Sequence, residues 1–157
     1  MIQVLFVCMG NICRSPTAEG VFTHLVKQAG LSHKIKVRSA GTHAHFAGNP
    51  PDLRSQLAAW QRGIDLSGIR ARQITPADFI QADYILAMDR DNYTVLHSCC
   101  PSGHEHKLRL FLEFAPHLQR QEVPDPYYEG INGFEQVLNL VESAGVGLLN
   151  ELSKHFS

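Results

Sequence analysis

The segment Val4-Leu5-Phe6-Val7-Cys8-Met9-Gly10-Asn11-Ile12-Cys13-Arg14-Ser15-Pro16 constrains this chain more than any other. An apolar run ends in a cysteine, and an arginine follows six positions later, where a helix is ready to begin. Between a strand and a helix, Cys-x5-Arg builds an anion cradle with sulfur at its floor. Successive backbone N–H groups point inward as a nest, and the helix N-terminus adds partial positive charge behind them. The planar fork of Arg14 matches two oxygens of a tetrahedral anion. That field favours sulfur as the thiolate, so the implied chemistry is attack by Cys8 on a bound phosphoryl group. Gly10 is expected to supply an unusual backbone angle, Ser15 to cap the helix and Pro16 to be its first residue. A strand-end cysteine without those neighbours is simply a small buried hydrophobe.

The 157 residues suit one domain, 1–157, with a real core. Hydrophobic residues make up 44% and charged residues 18%, the profile of a globular chain rather than a disordered one. A net charge of −1 argues against electrostatic binding to nucleic acid or to a membrane. The apolar runs are far too short to span a bilayer, and Met1-Ile2-Gln3-Val4 reads as strand rather than as a signal peptide. Four cysteines, one of them cast as a nucleophile, fit a reducing compartment, so the cytoplasm is expected.

Hydrophobic periodicity predicts strands at Ile2–Val7, Lys34–Ala40, Tyr84–Met88 and Lys107–Phe111. Helices are expected over Pro16–Gly30, Leu53–Gly63 (Leu57 and Trp60 on one face), Thr75–Ile80 and Asp89–His97. A long final helix is expected over Asn132–Phe156, opened by an Asn132-x-x-Glu135 capping box and weakened by Gly145 and Gly147. Strands alternating with helices imply an α/β fold: a parallel sheet with helices on both faces. Ligands then bind at the carboxyl ends of the strands, where Cys8, Ser39 and Asp89 fall.

Breaking a phosphate monoester also requires a proton for the departing oxygen. Asp125, in Val123-Pro124-Asp125-Pro126-Tyr127-Tyr128, is the best donor: prolines stiffen its backbone and two aromatic rings beside it can line a slot. Read alone, Pro-Asp-Pro is a solvent turn; the Cys-x5-Arg loop changes that reading.

With these pieces assembled, the chain resembles the low-molecular-weight protein tyrosine phosphatase family. The resemblance is carried by residues 7–16, Arg38-Ser39-Ala40-Gly41-Thr42, Ala71-Arg72-Gln73, Met88-Asp89 and Asp125-Pro126-Tyr127-Tyr128, in the family's order along nearly the whole chain. It implies three layers around a four-stranded parallel sheet and a two-step reaction needing no metal or cofactor. In that reaction Cys8 is the nucleophile, Arg14 the phosphate clamp and Asp125 the general acid and then base. Met9, Gly10, Asn11, Ile12, Cys13 and Ser15 form the phosphate loop, and Tyr127 is an aromatic wall. Ser39, hydrogen-bonded to Asn11, and Asp89 support the loop. The resemblance also implies that Cys13 traps oxidised Cys8 as a disulfide. The implied partner is a tyrosine-phosphorylated protein, with a bacterial tyrosine kinase as one candidate. No strong dimer surface is visible, so a monomer or weak dimer is expected.

Two departures stand out. Ile69 occupies a position where many relatives have a histidine that joins the network around Asn11, which leaves that network shorter or completed by something else. Residues 42–49 lack a tryptophan that bacterial relatives often carry near His45, so His45 or Phe46 is expected to form that wall. Three rival readings fit the sequence less well. An arsenate reductase on the same scaffold needs further cysteines after the third strand, and Cys99-Cys100 copy that spacing poorly. A zinc module using Cys99, Cys100, His104 and His106 has neighbouring thiols that chelate one ion badly. A phosphotyrosine-binding module without turnover does not require the intact set Cys8, Arg14 and Asp125.

Overall fold

The computed structural model describes residues 1–156. Strands β1 (Ile2–Cys8), β2 (Ile35–Gly41), β3 (Tyr84–Ala87) and β4 (Leu108–Leu110) form one sheet in the order β2-β1-β3-β4. Every pairing is parallel, with Cys8 opposite Gly41 and Val7 opposite Ala87. β1 is therefore central, which explains its apolar run from Val4 to Cys8. Its side chains alternate between two cores. Val4 and Phe6 pack on one face with residues of α1 (Arg14–Gln28), α2 (Leu53–Trp60) and α5 (Ile131–Ser153). Leu5 and Val7 pack on the other with Phe79 of α3 (Pro76–Gln81) and Leu96 of α4 (Arg90–Cys99). The three-layer α/β architecture implied by the sequence is the one observed.

Several boundaries differ from expectation, each for a physical reason. Helix α1 starts at Arg14, with Cys13 in the cap position and no side-chain cap bond. Ser15 does not cap, because its hydroxyl is turned to Cys8 at 3.0 Å. Pro16 is then the third helical residue, where its missing N–H is still one the first turn leaves unpaired. Leu57 and Trp60 share a face of α2, but that face meets solvent, at 64% and 65% exposure. The buried side of α2 is made of Ser55, Ala58 and Ala59, small enough to bring it close to its neighbours. Helix α5 begins at Ile131 after Gly130, without a side-chain cap, so the Asn132–Glu135 box does not form. Glu135 instead pairs with Arg62 at 2.7 Å, and Glu142 joins the same guanidinium at 3.0 Å, tying α5 to the end of α2. Gly147 does not break the helix: a Cβ there would sit 1.8 Å from the carbonyl oxygen of Phe114, so glycine is what allows that close approach.

The segment before α3 is fixed by a buried carboxylate. Asp78 receives two hydrogen bonds from Arg72, at 2.9 and 3.0 Å, and one from the Thr75 backbone at 2.8 Å. Burial alone would raise its pKa, but these donors outweigh burial and hold it below the ordinary value. Asp78→Asn is expected to cost roughly 2 kcal/mol at neutral pH, discounting for the part-exposed arginine. Because the folded-state pKa is depressed, that stabilisation is present above 3.8 and lost as pH falls through the folded value. Denaturant unfolding of both proteins from neutral to acid pH should show their difference shrinking at the acid end.

Candidate active site

The loop between β1 and α1 curls over the end of the sheet and forms the floor of a cleft of about 320 Å³. Its lining comprises Cys8, Met9, Gly10, Ile12, Cys13, Arg14, His45, Phe46, Asp125, Tyr127 and Tyr128. Cys8 lies deep, at 3% exposure. The Asn11 backbone N–H donates to its sulfur at 3.3 Å, and the Ser15 hydroxyl lies within hydrogen-bond distance of it at 3.0 Å.

The unusual backbone angle of this loop belongs to Asn11, at φ 58°, and not to Gly10. Asparagine tolerates the left-handed region better than most residues, and here its buried side chain is used in full. Its amide donates to Ser15 Oγ at 2.7 Å and to Ser39 Oγ at 3.0 Å, and its carbonyl accepts from the Arg72 backbone N–H at 3.0 Å. Gly10 serves a different need: a Cβ there would lie 2.8 Å from the Phe46 ring, so glycine lets that ring settle on the loop.

The network does not stop short where Ile69 replaces a histidine. Ser39 Oγ donates to Glu19 Oε1 at 2.6 Å, so a carboxylate from α1 completes it. Burial raises the Glu19 pKa, opposed by the Ser39 hydrogen bond and by Arg72 and Arg38. Sequence reasoning missed Glu19, although a signal existed: it lies four positions after Ser15, on the same helix face.

Arg14 is 3% exposed and its guanidinium is fixed from behind. Nη1 donates to Asp89 Oδ2 at 2.6 Å and to the Val123 carbonyl at 3.0 Å. Burial would lower the Arg14 pKa, but Cys8, Asp89 and Asp125 more than offset this and hold it above its usual value. Asp89 is itself oriented by its own helix, since it caps α4 through the Asn92 N–H at 2.7 Å. Asp125 approaches from the opposite wall, with Oδ2 3.6 Å from Arg14 Nη2. Its other oxygen accepts from the Tyr127 N–H at 3.0 Å, which aims the carboxyl at the cleft.

Both candidates for the missing tryptophan wall contribute. His45 meets Phe46 edge-on at 4.7 Å, Phe46 lies 6.1 Å from Tyr127, and Tyr127 meets Tyr128 at 4.9 Å, so a line of rings borders the mouth. Cys13 is buried, and burial together with Asp52 and Cys8 pushes its thiol up to about 12. The structure thus brings together Cys8, Met9, Gly10, Asn11, Ile12, Cys13, Arg14, Ser15, Ser39, Asp89, Asp125 and Tyr127. Among the described residues, no group of three or more His, Cys, Asp or Glu side chains is placed to hold a metal ion, and Cys99, Cys100, His104 and His106 form no such set.

Ser39 stands at the centre of the relay from Glu19 to Asn11. Ser39→Ala is expected to cost about 1–2 kcal/mol of stability and a comparable factor in kcat/KM. Glu19→Gln keeps an acceptor for Ser39 and should cost less than half as much. Thermal unfolding and aryl-phosphate kinetics on the two variants check this ordering.

Residues 3–157 match the family model for low molecular weight phosphotyrosine protein phosphatase. The low molecular weight protein-tyrosine-phosphatase YfkJ of Bacillus subtilis is 40% identical over 154 residues, covering 98% of this chain and 97% of that one. A crystal structure of an Entamoeba histolytica protein tyrosine phosphatase with Hepes in its active site superposes with a TM-score of 0.95 at 36% identity, over all of both chains. A Drosophila arginine phosphatase structure matches with a TM-score of 0.89 at 32% identity, over 96% of this chain and 98% of that one. Among the described residues, no helix is long and apolar enough to cross a membrane.

Proposed function

The chain belongs to the low molecular weight phosphotyrosine protein phosphatase family, and on that premise we propose that it hydrolyses phosphotyrosine in proteins, and small aryl phosphates, through a cysteinyl-phosphate intermediate. The observation that carries this reading is the convergence of Cys8, Arg14 and Asp125 on one cleft, with the Arg14 and Asp125 side chains 3.6 Å apart. The Cys8 thiolate attacks phosphorus while the bond from phosphorus to the phenolic oxygen breaks. Arg14 and the loop N–H groups hold the equatorial oxygens as their charge grows, the kind of preorganised stabilisation that dominates such barriers. Asp125 gives its proton to the departing phenolate, then as carboxylate takes one from water. That water attacks phosphorus, releases inorganic phosphate and returns Cys8 as thiolate.

Phosphotyrosine suits the cleft better than phosphoserine, because Cys8 lies at the bottom and Phe46 and Tyr127 flank the way down. The related arginine phosphatase makes phosphoarginine the natural comparison substrate. A guanidinium would want acidic partners, and Asp125 is the one carboxylate in the lining. The partner is read as a tyrosine-phosphorylated cytoplasmic protein, with a bacterial tyrosine kinase as a candidate, and the enzyme as a single domain working as a monomer or weak dimer.

Hydrolysis of an aryl phosphate across pH, without added metal, tests the reading. Cys8→Ser should abolish turnover, and Asp125→Ala should lower kcat by roughly 10²–10³; phosphoarginine should be the poorer substrate. An inactive wild type would defeat the proposal.

Cys13 is read as a protective thiol. After a hydroperoxide converts Cys8 to the sulfenic acid, Cys13 sulfur displaces hydroxide to form the disulfide, and its proton ends in water. Peroxide inactivation should be reversed by dithiothreitol in the wild type and not in Cys13→Ser. Equal recovery in both would count against it.

A further inference from the structure

A second arginine lies beside the cleft. Arg54, in the first turn of α2, makes a bidentate pair with Asp52: Nε to Oδ1 at 3.0 Å and Nη2 to Oδ2 at 2.8 Å. Asp52 is anchored to the phosphate loop, since its backbone N–H donates to the Ile12 carbonyl at 2.8 Å. Its side chain also caps α2 by accepting from the Arg54 N–H at 2.9 Å. The other side of the same guanidinium lies over two rings, 5.5 Å from the centre of Tyr127 and 4.6 Å from that of Phe134. Phe134 is buried in the first turn of α5, at 3% exposure. Tyr127 is two residues from Asp125, and its backbone N–H fixes the Asp125 carboxyl at 3.0 Å.

We propose that Arg54 is a positioning residue for the general acid, clamping the segment that carries Asp125 to the phosphate loop. The chain of contacts runs from Ile12 through Asp52 and Arg54 to Tyr127 and so to Asp125. Such a clamp is needed because 123–130 is a loop without regular structure, and Asp125 itself is substantially exposed, at 43% of its side chain. A cation over an aromatic face is attracted by the ring quadrupole, and a planar guanidinium can hold a carboxylate at its edge while stacking on rings with its face. Asp52 matches the charge of Arg54 while the guanidinium lies over the two rings.

The proposal rests on Asp125 being the acid, and the test separates the two. An acid out of place matters most when the leaving group is a poor one. Wild type, Arg54→Met and Arg54→Lys are compared by kcat/KM on two aryl phosphates, one releasing an acidic nitrophenol and one releasing unsubstituted phenol. Arg54→Met should lose about tenfold on phenyl phosphate, a displacement effect, and under about twofold on the nitrophenyl ester, with Arg54→Lys recovering part of the loss. Alkylation of Cys8 by iodoacetate at fixed pH should proceed at the wild-type rate in both variants. In the Asp125→Ala background, Arg54→Met should cause no further selective loss. Equal losses on both substrates, or none on either, would overturn the proposal. If Asp125→Ala alone shows no preference between the leaving groups, the acid assignment fails first and the clamp falls with it. Arg54→Gln, which keeps a hydrogen bond to Asp52 but removes the cation from the rings, answers the same question if Arg54→Met does not fold.

Discussion

The architecture of the site depends on the side chain of Asn11. It sits in the loop between β1 and α1, in the left-handed backbone region, and its contacts join three parts of the molecule. One amide reaches Ser15 at the start of α1, Ser39 on β2 and the Arg72 backbone ahead of α3. Each end of that network is pinned in turn, Ser39 by Glu19 and Arg72 by Asp78. A strained loop persists only where its surroundings over-determine it, and here three elements do so. The result is a loop whose shape is set by the protein's own contacts.

The proposed catalytic groups come from places far apart in sequence but adjacent at the ends of parallel strands. Cys8 closes β1, and Asp89 lies just beyond β3, where it orients Arg14 and caps α4 at once. Asp125 arrives from a loop that follows β4 and is held near Arg14. The sheet supplies rigidity, while the proposed acid rides on less regular chain. That asymmetry explains why a clamp such as Arg54 is worth having on one side and unnecessary on the other.

Much of this was legible in the residues. The apolar run of β1, the Cys-x5-Arg spacing and the alternation of strands and helices pointed to a parallel sheet and to its carboxyl edge. What was not legible depended on contacts between distant segments. Gly10 looked like a conformational glycine and is a steric one, because Phe46 packs on it from a loop some thirty-five residues away. Ser15 looked like a helix cap and is engaged with Cys8 instead. The absence of a histidine at Ile69 left open whether the network ends early or is completed by another group, and Ser39 extends it to Glu19. Leu57 and Trp60 have helical spacing but face solvent, since spacing fixes which residues share a face and not which way the face turns. The Asn132–Glu135 box had the right letters, but Arg62 competes for Glu135 and the helix begins earlier.

The central claim is that phosphorus is transferred to Cys8 before it reaches water. Rapid acid quenching of the Asp125→Ala protein during turnover of an aryl phosphate, followed by mass spectrometry of its peptides, reads that claim directly. The account predicts a single phosphoryl group on the peptide containing Cys8, formed as phenol is released and decaying as inorganic phosphate appears. Turnover without phosphoryl-enzyme, or a phosphoryl group on any other residue, would contradict it.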